Sequence, residues 1–123
     1  MNNSKQKTVL IVEDDKSSFQ YLKFVLKLNN INHLWATNGE MAIEYCTNNS
    51  EIDLVLMDIN MPVMSGYEAT KRIKKIKPNL PIIAQTAYSI TGDREKFINA
   101  GFNDYISKPT KKEELLKMIN RYT

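Results

Sequence analysis

Four short segments in this chain, three of them largely apolar, end on polar residues whose side chains carry complementary chemistry. TVLIV at 8–12 stops at Glu13-Asp14-Asp15, and IDLVLM at 52–57 stops at Asp58 and Asn60. LPIIAQ at 80–85 stops at Thr86, and NDYIS at 103–107 stops at Lys108-Pro109. Carboxylates a few ångströms apart cannot all ionise comfortably, so they require a cation or must hold protons. Hard oxygen ligands with no His or Cys nearby favour Mg²⁺ or Mn²⁺ over zinc. Magnesium commonly takes one or two carboxylates plus a phosphate oxygen and keeps several waters. A metal and an ammonium together would neutralise a phosphoryl group in transfer, leaving one carboxylate as its acceptor. Asp58 is the better acceptor, because it stands singly at the end of the most apolar run. Glu13 and Asp14 form the pair suited to holding metal.

These residues share a site only if the intervening elements bring the run ends together. A run apolar throughout reads as a strand buried on both faces. Residues 15–29 carry apolar positions at 19, 22, 25, 26 and 28, near helical spacing, and Asn29-Asn30 closes the pattern. INHLWA at 31–36 reads as a further strand, and Asn38-Gly39 as a turn. Helices are predicted over 40–48, 66–77, 92–100 and 111–121, with Met41, Ala42 and Tyr45 inward on the first of these. Pro78 and Gly101 stop the second and third of them. Five strands alternating with five helices define an α/β, doubly wound, mostly parallel sheet with right-handed crossovers. In such sheets ligands bind beyond the carboxyl ends of the strands, which is where all these polar residues fall.

The 123 residues fit one domain, with a polar tail over 1–7 and the folded part over 8–123. The lone Cys46 excludes a disulfide framework and a Cys-based zinc cluster. No run approaches the roughly 20 apolar residues that span a bilayer. The start, MNNSKQK, has no apolar signal core. A soluble, cytoplasmic protein with no membrane partner is therefore expected. A net charge of +3 is too small an excess to argue nucleic-acid binding. The basic run Lys71–Lys77 reads as a solvated helix face, with Ile73 and Ile76 turned to the core. His33 reads as a strand residue without a metal role, and Cys46 as a small core filler. Phe19, Tyr21 and Phe24 exceed one buried stripe, so the set is either partly partner-facing or a crowded helix face.

The acidic pair in LIVEDD, the block LVLMDINMPVMSGYEAT, the AQTA segment and DYISKP occur in order at the run ends. In these motifs the chain resembles the receiver domain of two-component response regulators, from Val9 to Ile119. The resemblance implies a flavodoxin-like strand order of 2-1-3-4-5. It implies that Asp58 accepts phosphate and that Asp14 ligates Mg²⁺ or Mn²⁺ directly, with Glu13 acting through water. Asn60 would offer its backbone carbonyl, and Asp58 itself would complete the metal set. Thr86 resembles the switch hydroxyl that bonds a phosphoryl oxygen, and Lys108 the ammonium that contacts another. Tyr105 matches the aromatic that changes rotamer on activation, and Pro109 the residue often preceded by a cis peptide. The implied phosphodonor is a histidine kinase or a histidine phosphotransfer domain. An output partner or second copy would dock over roughly 90–120. TAYSITGDREKFINAGFNDYISKP is especially similar to receivers of hybrid sensor kinases.

Two other functions could start from the same residues. Aspartyl-phosphate hydrolases typically carry D-x-D, whose second Asp is a general acid; Asp58-Ile-Asn60 offers an amide, which cannot supply that proton. A flavin or nucleotide module would need a Gly-rich phosphate loop, and neither G-x-x-x-x-G-K-[ST] nor G-x-G-x-x-G occurs. The expected function is a phosphate-accepting switch with slow, self-directed turnover, rather than an enzyme. Tyr88, two residues after Thr86, is expected to shield an acyl phosphate from water.

Overall fold

The computed structural model describes residues 6–87 and 94–123. The five segments read as strands form one parallel sheet from β1 (Thr8–Val12), β2 (Asn32–Ala36), β3 (Leu54–Asp58), β4 (Ile82–Thr86) and β5 (Asp104–Ser107). The strand order is β2-β1-β3-β4-β5, as the resemblance implies. Every residue of β1, β3 and β4 is buried, because the three inner strands are covered on both faces. The edge strands β2 and β5 are partly exposed.

The helices are α1 (Lys16–Leu28), α2 (Gly39–Asn48), α3 (Gly66–Ile76), α4 (Arg94–Ala100) and α5 (Lys112–Tyr122). Asp15 caps α1 by accepting from Ser18 N at 2.8 Å, and Asn38 caps α2 by accepting from Met41 N at 2.8 Å. Ser65 does the same for α3, accepting from Glu68 N at 3.3 Å. Each such cap is worth about 1 kcal/mol, and each fixes the point where a loop at the sheet's carboxyl edge turns into helix. One apolar layer joins Val9, Ile11 and Leu56 to Phe19 and Leu22 of α1 and Leu115 of α5. The other joins Leu10, Val12 and Met57 to Ala42 of α2, Ile73 of α3 and Ala100 of α4. Cys46 is fully buried in this second layer, as a core filler should be, with Met41 and Tyr45 half-buried beside it.

Some sequence expectations need correction. Asp58 and Thr86 are the last residues of β3 and β4 rather than the first residues of loops. The ladder runs on through them, with Asp58 in register with Gln85 and Thr86 with Ser107. Ile73 is buried, but Ile76 is 45% exposed, because it is the last residue of α3 and stands past the packed layer. Leu28 is 69% exposed, since it lies in line with Tyr21 and Phe24 rather than with Phe19, Leu22 and Leu26. The result is a second, solvent-facing apolar stripe on α1.

Candidate functional site

The site is built at the carboxyl ends of β1, β3 and β4 and in the loop after β5. Glu13 extends β1 by one step: its N–H donates to Ala36 O at 3.0 Å. Its carbonyl accepts from Trp35 Nε1 at 2.8 Å, and the indole stacks on Phe19 with centroids 3.9 Å apart and planes within 3°. So anchored, Glu13 buries its side chain almost completely and accepts from Asp15 N at 3.2 Å. Asp58 is 4% exposed at the end of β3, and its Oδ1 accepts from Asn60 N at 3.1 Å.

Lys108 reaches in from the far side. Its Nζ donates to Glu13 Oε1 at 3.2 Å and lies 3.4 Å from Asp58 Oδ2. Its backbone N–H donates to Thr86 O at 2.8 Å, tying the loop to β4, and the Lys108-Pro109 peptide is cis. Asp14 is exposed, yet a carboxylate oxygen from each of Glu13, Asp14 and Asp58 lies within 4.8 Å of the others. The residues named from sequence as Glu13, Asp14, Asp58 and Lys108 are thus brought together, with Thr86 buried at the neighbouring strand end.

Burial raises the Glu13 carboxyl above its ordinary range, and the Asp58 charge adds to this, outweighing Lys108 and the Asp15 N–H. For Lys108, burial opposes the charged form, but the Asp58 and Glu13 carboxylates more than compensate and hold its ammonium above the usual value. Three carboxylates cluster here and one ammonium pairs with two of them, which leaves the cluster rich in acidic oxygens. The donor set is oxygen only, with no imidazole or thiol among the described residues of the cluster. A small hard divalent cation such as Mg²⁺ fits it.

Tyr105 lies in register with Ala84, two pairs back from Thr86 and so on the same sheet face. Its ring is 42% exposed and meets Phe97 of α4 edge-on at 5.9 Å. Asn60 is exposed beside Asp58. His33, half-exposed on β2, packs against Phe19 at 5.7 Å. Tyr88 lies outside the described residues.

Three contributors escaped the sequence reading. Trp35 read only as an apolar strand residue, and Gly66 only as part of a motif. Gln85, 1% exposed, accepts from Thr110 Oγ1 at 3.0 Å; its one available signal was a lone amide inside an apolar run.

A buried strand-end aspartate, an acidic pair and a lysine on the carboxyl edge of a doubly wound sheet define a phosphate-accepting switch. Residues 9–120 match the response regulator receiver domain, and the chain belongs to that family. Hybrid signal transduction histidine kinase I of Dictyostelium discoideum is 38% identical over 120 residues, which cover 91% of this chain and 7% of the kinase. The chain therefore spans only a small part of that relative's length. The receiver domain of sensor histidine kinase PA1611 from Pseudomonas aeruginosa, solved with magnesium in its active-site cleft, superposes with a TM-score of 0.88 at 32% identity. That match covers 96% of this chain and 98% of the other. The receiver domain of Ssk1 from Saccharomyces cerevisiae, solved with the histidine phosphotransfer protein Ypd1, gives 0.87 at 30% identity, covering 95% and 88%.

Proposed function

We propose that this chain takes a phosphoryl group from a phosphohistidine donor onto Asp58, with Mg²⁺, and alters a partner-binding surface in response. The observation that carries this reading is the buried Asp58 carboxylate, 3.4 Å from the Lys108 ammonium and ringed by Glu13 and Asp14. Asp14 would hold the metal directly, Glu13 through water, and Asp58 and the Asn60 carbonyl would complete the set. Bound there, Mg²⁺ supplies the positive charge that offsets the phosphoryl oxygens.

An Asp58 oxygen attacks phosphorus, and the P–N bond to the donor imidazole breaks, its electron pair leaving with the nitrogen. Lys108 turns from its carboxylate partners to a phosphoryl oxygen, and the Thr86 hydroxyl donates to another. The product is an acyl phosphate on Asp58. Asn60 cannot act as a general acid or base toward it, which favours slow hydrolysis.

The donor docks against α1. Tyr21, Phe24 and Leu28 expose an apolar stripe there, and a groove of about 680 Å³ between α1 and the loop after β5 opens beside Lys108. A histidine phosphotransfer protein, the kind of partner solved with the Ssk1 receiver, suits that surface if it presents an amphipathic helix. The output surface is α4, β5 and α5, where Ile98 and Tyr105 are exposed. The switch occupies residues 8–123 behind a polar tail and works in the cytoplasm; among the described residues no helix is long and apolar enough to cross a membrane.

Incubation with acetyl phosphate and Mg²⁺ tests this. Intact mass should rise by one phosphoryl group in the parent and stay unchanged in Asp58→Asn or with chelator present. Equal labelling of Asp58→Asn would overturn the assignment.

A further inference from the structure

Gln85 is the polar residue that interrupts β4. It faces the α1–α5 layer together with Ile83, two residues before it, and is 1% exposed. Its Oε1 accepts from Thr110 Oγ1 at 3.0 Å, while its Nε2 has no partner. Burying an amide with one end unpaired costs stability that an apolar side chain of similar size would avoid. Its presence therefore points to a task other than packing.

The hydrogen bonds identify the task. Lys108 sits in a loop held to β4 on both sides: its own N–H donates to Thr86 O at 2.8 Å, and Thr110, two residues on, donates to Gln85. Gln85 also faces Asp58 in register, and its backbone carbonyl accepts from Ile59 N at 3.1 Å. One residue thus joins the strand bearing the acceptor carboxylate to the loop bearing the ammonium. A lysine ammonium on its flexible four-carbon stem is placed only as well as the backbone beneath it.

We propose that Gln85 is a positioning residue for the phosphoryl-transfer site, holding the Lys108 loop in register with Asp58 through its hydrogen bond to Thr110. The proposal rests on the reading of Asp58 as phosphoacceptor. Small displacements of a charged group at a transfer site carry large kinetic penalties.

Two readouts separate this role from packing: phosphoryl uptake from acetyl phosphate at saturating Mg²⁺, and the rate at which acetic anhydride acylates Lys108, followed by peptide mass. Gln85→Leu and Thr110→Val should each slow uptake by about tenfold, and each should make Lys108 more reactive. Gln85→Leu should melt no lower than the parent. Thr110→Ser keeps the hydroxyl and should restore the parent rate. The double variant Gln85→Leu/Thr110→Val should be no slower than the slower single variant, because both remove one bond. Parent-like uptake and parent-like Lys108 acylation in both single variants would overturn the proposal. So would a lowered melting temperature of Gln85→Leu with unchanged acylation, since that describes packing alone. Faster Lys108 acylation in the variants, with no phosphoryl uptake even by the parent, would support the tether and overturn the acceptor reading instead.

Discussion

Gly66, the first residue of α3, packs directly on the backbone of Asp58, the last residue of β3. A Cβ at position 66 would lie 2.8 Å from Ile59 Cα and closer still to the Asp58 carbonyl oxygen. The Gly66 N–H also donates to Ile59 O at 3.0 Å, so α3 begins in contact with the strand end that carries the acceptor. Space, rather than an unusual φ, demands glycine here.

Gly66→Ala must push the helix start away from Asp58. Overpacking of this kind costs about 1–3 kcal/mol, and the denaturation midpoint should fall accordingly. Phosphoryl uptake should slow as well, because Asp58 shifts relative to Lys108. A parent-like midpoint would show that α3 can retreat without strain.

The raised Glu13 carboxyl gives a pH dependence with a definite sign. A carboxyl whose folded pKa lies above its unfolded value, near 4.5, contributes stability that is complete below 4.5 and lost as pH rises through the folded value. The metal-free protein should therefore lose this contribution between 4.5 and the raised folded value, and Glu13→Gln should abolish it. His33, lowered by burial and by Lys23 and Lys27, acts in the opposite direction and is present in both proteins. The informative quantity is thus the parent-minus-variant difference in melting temperature across acid and neutral pH. A flat difference would contradict the burial of Glu13 as the cause. In the same preparations, calorimetry of Asp14→Ala should show Mg²⁺ affinity strongly reduced.

Cys46 is fully buried on α2, and burial pushes its thiol up to about 11, against the weaker pull of Lys77. Thiol reagents act on the thiolate. Native protein at mildly alkaline pH should therefore resist a chromogenic disulfide reagent and react only after denaturant is added. Rapid reaction of the native protein would mean that the α2 layer opens readily.

Thr86 and Tyr105 share a sheet face two residue pairs apart, with Phe97 of α4 against the Tyr105 ring. If the Thr86 hydroxyl moves to a phosphoryl oxygen, the space it leaves favours an inward Tyr105, since a methyl-sized void costs about 1 kcal/mol. A bias of that size is enough to shift a two-state surface. Beryllofluoride, a phosphoryl mimic, should shift amide resonances across 94–120 in the parent but far less in Thr86→Val. Equal distal shifts in both would show that the coupling bypasses this hydroxyl.

The strand ends and their chemistry were legible because the buried strands β1, β3 and β4 read as largely apolar runs that Glu13, Asp58 and Thr86 punctuate, while Lys108 follows the mixed segment NDYIS. Boundaries were less so. Nothing in the one-dimensional pattern shows that a ladder continues through a charged Asp58 or a hydroxyl at Thr86. Ile76 misled because spacing alone does not say where the cover of neighbouring elements stops, and Leu28 because two apolar stripes overlap on α1. Trp35, Gly66 and Gln85 act through partners distant in sequence, namely Glu13, Asp58 and Thr110, and only the assembled sheet brings them together.

The most direct test of Asp58 as acceptor is chemical trapping. Protein treated with acetyl phosphate is reduced with borohydride, which converts an acyl phosphate to the corresponding alcohol, and its peptides are sequenced by mass spectrometry. The modification should appear at Asp58, only with Mg²⁺ or Mn²⁺ present, and at neither Glu13 nor Asp14. Modification at another carboxylate with Asp58 intact, or equal modification in the presence of chelator, would contradict the account.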